Sequence, residues 1–400
     1  MKRILFVDDE PSILDGLQRM LRPRRREWEM VFATSGEEAL RALEAERFDV
    51  IVSDMRMPGM DGATLLRRVH ERHPDVARIV LSGHTELEAA LRAIPVAHQF
   101  LTKPCEAEML TAVVERACEL QAILGDDELR RVVGEVQSLP TLPRVYAALS
   151  QKLADPDASF VDVARLIEHD TGICAKVLQV VNSPLIGLAH RVTAIPQAVN
   201  LLGARMLQNI VLGTEVFRSF PAGDGVRGFS AETLQAHAYL SASIARRIVT
   251  DRRRAEDAFV AAMLHDIGLL VLAYRLPGRL RAILAAARDG HRSLVAVEAA
   301  DGRVTHAEIG AYLLGLWGLP YPIVEAVAHH HAPARVSHQT SFDLIAAVHV
   351  ADCLAHESTP APLLVPPSLD VAHLEALGVA AELPAWRAIA AEQAIAAAAA

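Results

Sequence analysis

The sequence predicts two domains of different class: an α/β domain on a doubly wound, five-stranded parallel sheet, then an all-α domain. Three observations carry this. The first 104 residues alternate short apolar runs with helical stretches. From about residue 139 onward nearly everything has helical period and no β-rich run is evident. The length, 400 residues, exceeds what one core ordinarily serves.

The apolar runs are Ile4–Val7, Met30–Ala33, Val50–Ser53, Ile79–Ser82 and Gln99–Leu101. Each holds β-branched or aromatic residues, and most are continuous rather than alternating, as strands covered on both faces require. Ser12–Arg22, Gly36–Glu46 and Ala63–His73 carry helical period between them. Together these units make a first domain over residues 1–120. Glu106–Val136 is heptad-like and nearly free of breakers apart from Gly125, so the last helix of that domain reads on into a linker helix over 121–138.

Leu139-Pro140-Thr141-Leu142-Pro143 then punctuates the chain. The second domain, 139–350, begins with helical stretches at Val145–Ala154, Phe160–His169, Ile173–Val181, Ile195–Leu202 and Arg205–Phe217. Pro221–Gly228 reads as a loop between two helical halves. Thr359–Pro367 is a proline-rich break, and 351–400 reads as a helical, partly disordered extension that ends in five alanines.

Composition narrows the function classes. The chain is 52% hydrophobic and 22% charged, which buries enough apolar surface to exclude bulk disorder. A formal charge of −9 argues against a chain-wide nucleic-acid footprint. Arg22 with Arg24–Arg26, and Arg252–Arg254, read as solvated loop charges. The four cysteines form no C-x-x-C pair, and the start MKRILFVDDE is cut by acids too early for a signal peptide. No uncharged apolar run is long enough for a membrane span, so a cytoplasmic protein is expected.

In an open parallel sheet, chemistry gathers outside the carboxyl ends of the strands. Those ends carry Asp8, Asp9, Asp54, Ser82 and Lys103. Three carboxylates so close repel one another unless a cation sits among them, and hard oxygen donors suit Mg²⁺. One carboxylate can then accept a phosphoryl group, with the lysine and the hydroxyl as its partners.

These residues stand in Val7-Asp8-Asp9-Glu10, Ser53-Asp54-Met55-Arg56-Met57-Pro58-Gly59, Leu81-Ser82-Gly83 and Phe100-Leu101-Thr102-Lys103-Pro104. In that order the set resembles the flavodoxin-like receiver domain of two-component response regulators. The resemblance implies Asp54 as phosphoacceptor, with a sensor histidine kinase as donor. It implies Mg²⁺ held by Asp9 and Asp54, by Asp8 through water, and by the Arg56 backbone carbonyl. It implies Ser82 and Phe100 as the hydroxyl and aromatic of an output switch, and a homodimer through the receiver. A receiver that serves only as a docking module is the alternative.

The second half carries His237, the pair His265-Asp266, His306, the run His329-His330-His331 and Asp352. Imidazoles with carboxylates suit iron, manganese or zinc, and two such ions can clamp a phosphoester. Adjacent His-Asp on a helix reaches one ion only if the helix presents its edge to it. His329 reads as a neighbour of the pair, and His291, His338, His349 and His356 read as ordinary.

Around the histidines stand Asp155-Pro156-Asp157-Ala158-Ser159, His169-Asp170-Thr171, Val181-Asn182-Ser183-Pro184, Ala198-Val199-Asn200-Leu201-Leu202-Gly203 and Trp317-Gly318-Leu319-Pro320. With Leu139–Pro143 and His330-His331 they resemble the HDOD, or HD-related output, domain. That family implies an all-α fold with an HD-like second lobe, acting as a non-catalytic signalling and protein-interaction module, in motility, biofilm or cyclic-di-GMP signalling. The alternative is a receiver-regulated, metal-dependent HD-type phosphohydrolase or phosphodiesterase. Beside the metal-dependent HD-GYP phosphodiesterases, the chain keeps ligand-type residues at His237, His265, Asp266, His306, His330, His331 and Asp352. It departs at Leu269, where that family has lysine, and at Ala332, where it has glutamate, and no Gly-Tyr-Pro follows.

Overall fold

A computed structural model describes residues 1–83, 97–123, 127–134, 136, 148–149, 151–153, 159–182, 188, 191–212, 226, 228–336, 341–359 and 365–398. The loop Pro221–Gly228 lies largely outside them, and the helix Val145–Ala154 lies half outside. Also outside are the punctuation at Leu139–Pro143, the segment Asp155–Ser159 up to its last residue, and the side chains of Ser82 and Phe100. The chain divides into two compact units. One is Met1–Gln137 together with Gln179–Arg191 and Tyr312–Leu319; the other is Ser138–Leu178, Val192–Ala311 and Pro320–Ala400.

The first unit is built on five parallel strands: β1 (Lys2–Val7), β2 (Trp28–Ala33), β3 (Val50–Asp54), β4 (Ala77–Gly83) and β5 (Gln99–Lys103). Their order is β2-β1-β3-β4-β5, the doubly wound arrangement the alternating pattern predicts. The continuous apolar runs are buried on both faces: Ile4 to Val7 and all of β3 are inside. Helices Pro11–Met20, Gly36–Ala45 and Gly62–Arg72 fall where expected. Ser35 and Asp61 cap the second and third by accepting the amides of Glu38 and Thr64. Register sets Val7 beside Ser53, Asp54 beside Leu81, and Gly83 beside Lys103, so the carboxyl ends of four strands lie side by side.

The expected continuous helix over Glu106–Val136 is found as Ala107–Ile123 and Asp127–Gly134 on either side of residues 124–126, which lie outside the described set. Buried Arg78 ties the second of these to the sheet. Its guanidinium donates to the carbonyls of Gly134 (2.9 Å), Pro74 (3.0 Å) and Val76 (3.0 Å).

The second unit is helical throughout its described residues. The expected pair Ile195–Leu202 and Arg205–Phe217 appears as one helix, Ile195–Leu212, interrupted at Gly203. There φ is 70°, a left-handed value that favours glycine. At its centre the helix Ala231–Ile248 packs on Arg252–Leu264 and Leu344–Ser358, and Tyr321–His329 closes on the latter two. The most apolar stretch, Arg254–Arg275, is 78% buried over its most apolar window and serves as core.

The C-terminal reading needs correction. Helix Leu344–Ser358 runs across position 350 rather than ending there. Helix Leu383–Ala398 packs back on Ala231–Ile248 and Leu344–Ser358, and the Trp386 ring stacks on Phe342 at 4.8 Å. Buried Leu383, Trp386 and Ala390 give the terminal alanine-rich segment a face to anchor. Composition alone did not show that face.

Helix Thr171–Val181 carries a lysine inside: Lys176 is 1% exposed, and burial lowers its pKa to about 7. Between pH 7 and the ordinary lysine value near 10.5 the unfolded chain holds a proton the folded chain has released. Stability therefore rises with pH across that window. Lys176→Met is expected to flatten that slope. Thermal unfolding of both proteins at pH 7 and pH 9 checks this; a variant that keeps the wild-type rise in stability between the two refutes it.

Candidate functional site

Two sites emerge. In the first, the carboxyl ends of β1, β3 and β5 bring Asp8, Asp54 and Lys103 together. The Lys103 ammonium donates to Asp8 Oδ2 (2.6 Å) and to Asp54 Oδ1. Asp54 Oδ2 accepts the Arg56 amide at 2.6 Å, and Asp8 Oδ1 accepts the Glu10 amide at 3.0 Å. Burial pushes Asp54 above the usual carboxylate range against the pull of Lys103. Burial also opposes the Lys103 charge, but Asp54 and Asp8 outweigh it and raise the lysine. Asp9 sits half-buried next in the chain. Gly62 allows the loop after β3 to fold close: a Cβ there meets the Asp54 carbonyl oxygen at 2.1 Å.

The carboxylates at this corner are hard oxygen donors, the type of ligand that suits Mg²⁺. Lys103 between two carboxylates shows how strongly this corner demands positive charge. Ser82 lies on β4 beside Thr102, and Phe100 lies on β5 beside Val80.

The second site lies in the helical unit. His237 comes from Ala231–Ile248, and Asp352 from Leu344–Ser358. His265 and Asp266 form the junction between Arg252–Leu264 and Ile267–Arg275. His306 opens the helix His306–Leu316, and His330 and His331 follow Tyr321–His329. The junction answers how neighbouring His and Asp reach one centre. They occupy a break between two helices, and His265 Nε2 lies 3.2 Å from Asp266 Oδ2.

All seven predicted residues converge. Their ligand atoms form two groups, Asp266 with His306, His330 and His331, and His237 with His265 and Asp352. Each carboxylate spans both. Asp266 Oδ1 lies 3.2 Å from His306 Nε2 and 3.8 Å from His330 Nε2, while its Oδ2 faces His265. Asp352 Oδ1 lies 3.0 Å from His237 Nε2, while its Oδ2 lies 3.6 Å from His331 Nδ1.

Backbone carbonyls set the tautomers. His265 Nδ1 donates to Ala262 O (2.6 Å), and His330 Nδ1 donates to Val327 O (2.7 Å). Both Nε2 atoms are thereby turned inward, and both are buried without a hydrogen-bond partner, as are His331 Nδ1 and Asp352 Oδ2. Four orphaned ligand-type atoms in one buried cluster fit a cation and fit poorly with simple core packing. Burial and the neighbouring His265 push His330 down to about 3. Burial opposes charge on His265 and His306 too, but Asp266 and Asp352 raise the first well above its ordinary range. Glu298 and Asp266 raise His306 to about 10. Asp266 and Asp352 stay well below theirs despite burial, because His265 and its neighbours pair with them.

Three positions were missed or misjudged from sequence. Glu298, buried, accepts from His306 Nδ1 at 2.6 Å and so aims Nε2 at Asp266. His356, read as ordinary, places Nδ1 3.0 Å from Asp352 Oδ1 at the edge of the cluster. Its i, i+4 spacing from Asp352 was the available signal. His349 is buried and supports the site: Nδ1 donates to His330 O (2.7 Å) and Nε2 accepts the Asp370 amide (2.9 Å). Gly268 is a fourth necessity. A Cβ there meets the His306 carbonyl oxygen at 1.9 Å, so only glycine lets the two helices approach. Gly268→Ala is expected to destabilise the chain by about 3 kcal/mol or more. A melting point unchanged in calorimetry refutes this.

Comparison with known proteins follows the same division. Residues 4–115 match the response regulator receiver domain, and residues 139–333 match the HDOD domain. The hydrogenase transcriptional regulatory protein HoxA of Cupriavidus necator is 34% identical over 159 residues, covering 39% of this chain and 32% of that protein. The DNA-binding transcriptional regulator NtrC of Escherichia coli K12 is 39% identical over 158 residues, covering 37% of this chain and 33% of that protein. The chain thus spans about a third of the length of these relatives. Among solved structures, the MmoQ response regulator of Methylococcus capsulatus is 22% identical, covers 63% of this chain and 98% of its own, and has a TM-score of 0.49.

Proposed function

We propose that this chain, which carries an N-terminal receiver domain and a C-terminal HDOD domain, works as a two-component response regulator in which phosphorylation of Asp54 controls what the helical half does. The observation that carries this is Asp54 at the end of the central strand β3, between the Lys103 ammonium and the Arg56 amide. A sensor histidine kinase supplies the phosphoryl group. An Asp54 carboxylate oxygen attacks phosphorus, the bond to the donor imidazole breaks, and Lys103 partners the new phosphate. Asp8, Asp9, Asp54 and the Arg56 carbonyl would hold Mg²⁺, which when bound neutralises carboxylate and phosphate charge. Ser82 then donates to the acyl phosphate, and Phe100 follows it as the switch; a receiver-mediated homodimer is the readout. Labelling of the full chain by acetyl phosphate, confined to Asp54, is the test.

Two readings stand for the helical unit. A signalling and protein-interaction output, working in the cytoplasm on a downstream protein, needs only the fold. A second reading is favoured by one observation, the orphaned ligand atoms of His265, His330, His331 and Asp352. In it, His237, His265, Asp266, His306, His330, His331 and Asp352 would hold iron, manganese or zinc. Such a centre suits phosphoester hydrolysis by supplying Lewis acidity. Metal content, argued below, separates the readings.

A further inference from the structure

A cavity of about 190 Å³ opens on the histidine-carboxylate cluster. Its floor includes His237, Asp266, His306, His331 and Asp352, with His356 beside them. Its walls are apolar: Phe229, Leu234, Leu269, Leu284 and Leu294. Two of the hydroxyls in the lining are engaged locally, Ser230 and Ser293 each accepting a backbone amide as a helix cap. Among the described lining residues none is lysine or arginine.

This combination selects by chemistry. Polyanionic groups are ordinarily recognised by arginine forks and lysines, and here leucine side chains line the space instead. Apolar walls reward a hydrocarbon tail, while the floor rewards an oxygen donor able to bind a cation. Size agrees: an engineered apolar cavity of about 150 Å³ holds benzene, so this one takes a head group and roughly six carbons.

We infer that the cavity binds a small monoanion, an oxygen head group with a short apolar tail, head down on the metal centre. The inference rests on the metal reading of the cluster. It assigns the helical half a small-molecule ligand and turns it away from cyclic dinucleotides.

The test uses the full chain, loaded with manganese and checked by elemental analysis. Calorimetric titration then compares hexanoate, acetate and inorganic phosphate. Each buried methylene is worth roughly fourfold in affinity, so hexanoate should bind at least about tenfold tighter than acetate. Phe229→Ala combined with Leu294→Ala should bring that ratio close to one while metal content and acetate binding persist. Both side chains are only half-buried, so the fold should tolerate the change. A metal-loaded chain that binds phosphate more tightly than hexanoate, or shows no preference for the longer tail, overturns the cavity assignment and leaves the metal reading standing. A chain that takes up no metal overturns both.

Discussion

Asp54→Asn is expected to abolish labelling of the full chain by acetyl phosphate, to background, while its circular dichroism should stay that of the wild type. The amide has nearly the shape of the carboxylate but lacks its nucleophilic charge. The Arg56 amide can still donate to the side-chain oxygen, as it donates to Asp54 Oδ2 at 2.6 Å, so the loop keeps its anchor. Replacement should also relieve Lys103 of one of its two carboxylates without freeing it, since Asp8 Oδ2 remains at 2.6 Å. Asp8 and Asp9 are the competing nucleophiles. Asp8 is held in the same way as Asp54, by Lys103 and by a backbone amide, that of Glu10. Intact-mass spectrometry of wild type and variant decides. Labelling that survives in the variant moves the phosphoacceptor elsewhere.

The second large effect concerns metal. Protein purified without chelators from metal-supplemented cells should carry iron, manganese or zinc at near-stoichiometric levels. His265→Ala with Asp266→Ala should remove it, because that junction contributes to both ligand groups. Such a double change also strips a buried helix junction and can unfold the unit. His237→Ala is the gentler companion: its side chain is 12% exposed and it belongs to one group only, so it should lower content by about half in a folded protein. Metal binding to the folded state alone stabilises it by about 4 kcal/mol at a thousandfold excess over Kd. Chelation should therefore lower the melting temperature of the wild type more than that of the double variant. Metal-free protein from supplemented cells, or equal content in all three proteins, defeats the assignment and leaves the interaction-module reading.

The two sites differ in how far they could be read from residue order. In the first, a parallel sheet brings the carboxyl ends of its strands together by construction, so acids at the ends of Ile4–Val7 and Val50–Ser53 and a lysine after Gln99–Leu101 had to meet. Strand patterning and register reach Asp8, Asp54 and Lys103 without any tertiary search. Continuous apolar runs mark strands covered on both faces, which is why β1 and β3 were legible.

In the second, residue types were visible and their arrangement was not. Imidazoles and carboxylates of ligand type stood out from His237 to Asp352, yet helices with period 3.6 fix only which face a residue occupies, not which other helix that face meets. That His265 and Asp266 share a centre depends on a break between two helices, not on the edge of one. Glu298 lies on a separate helix, with no spacing that ties it to His306, and only packing brings its carboxylate to 2.6 Å. Gly268 looks like any glycine in an apolar run until the His306 carbonyl is seen against it. The alanine-rich C-terminus carries almost no periodic signal, and its order comes from the faces of Ala231–Ile248 and Leu344–Ser358 on which it lies. Local chemistry and period are written along the chain; the partners of a helix face depend on burying apolar surface across the whole unit, a non-local balance that no window of residues contains.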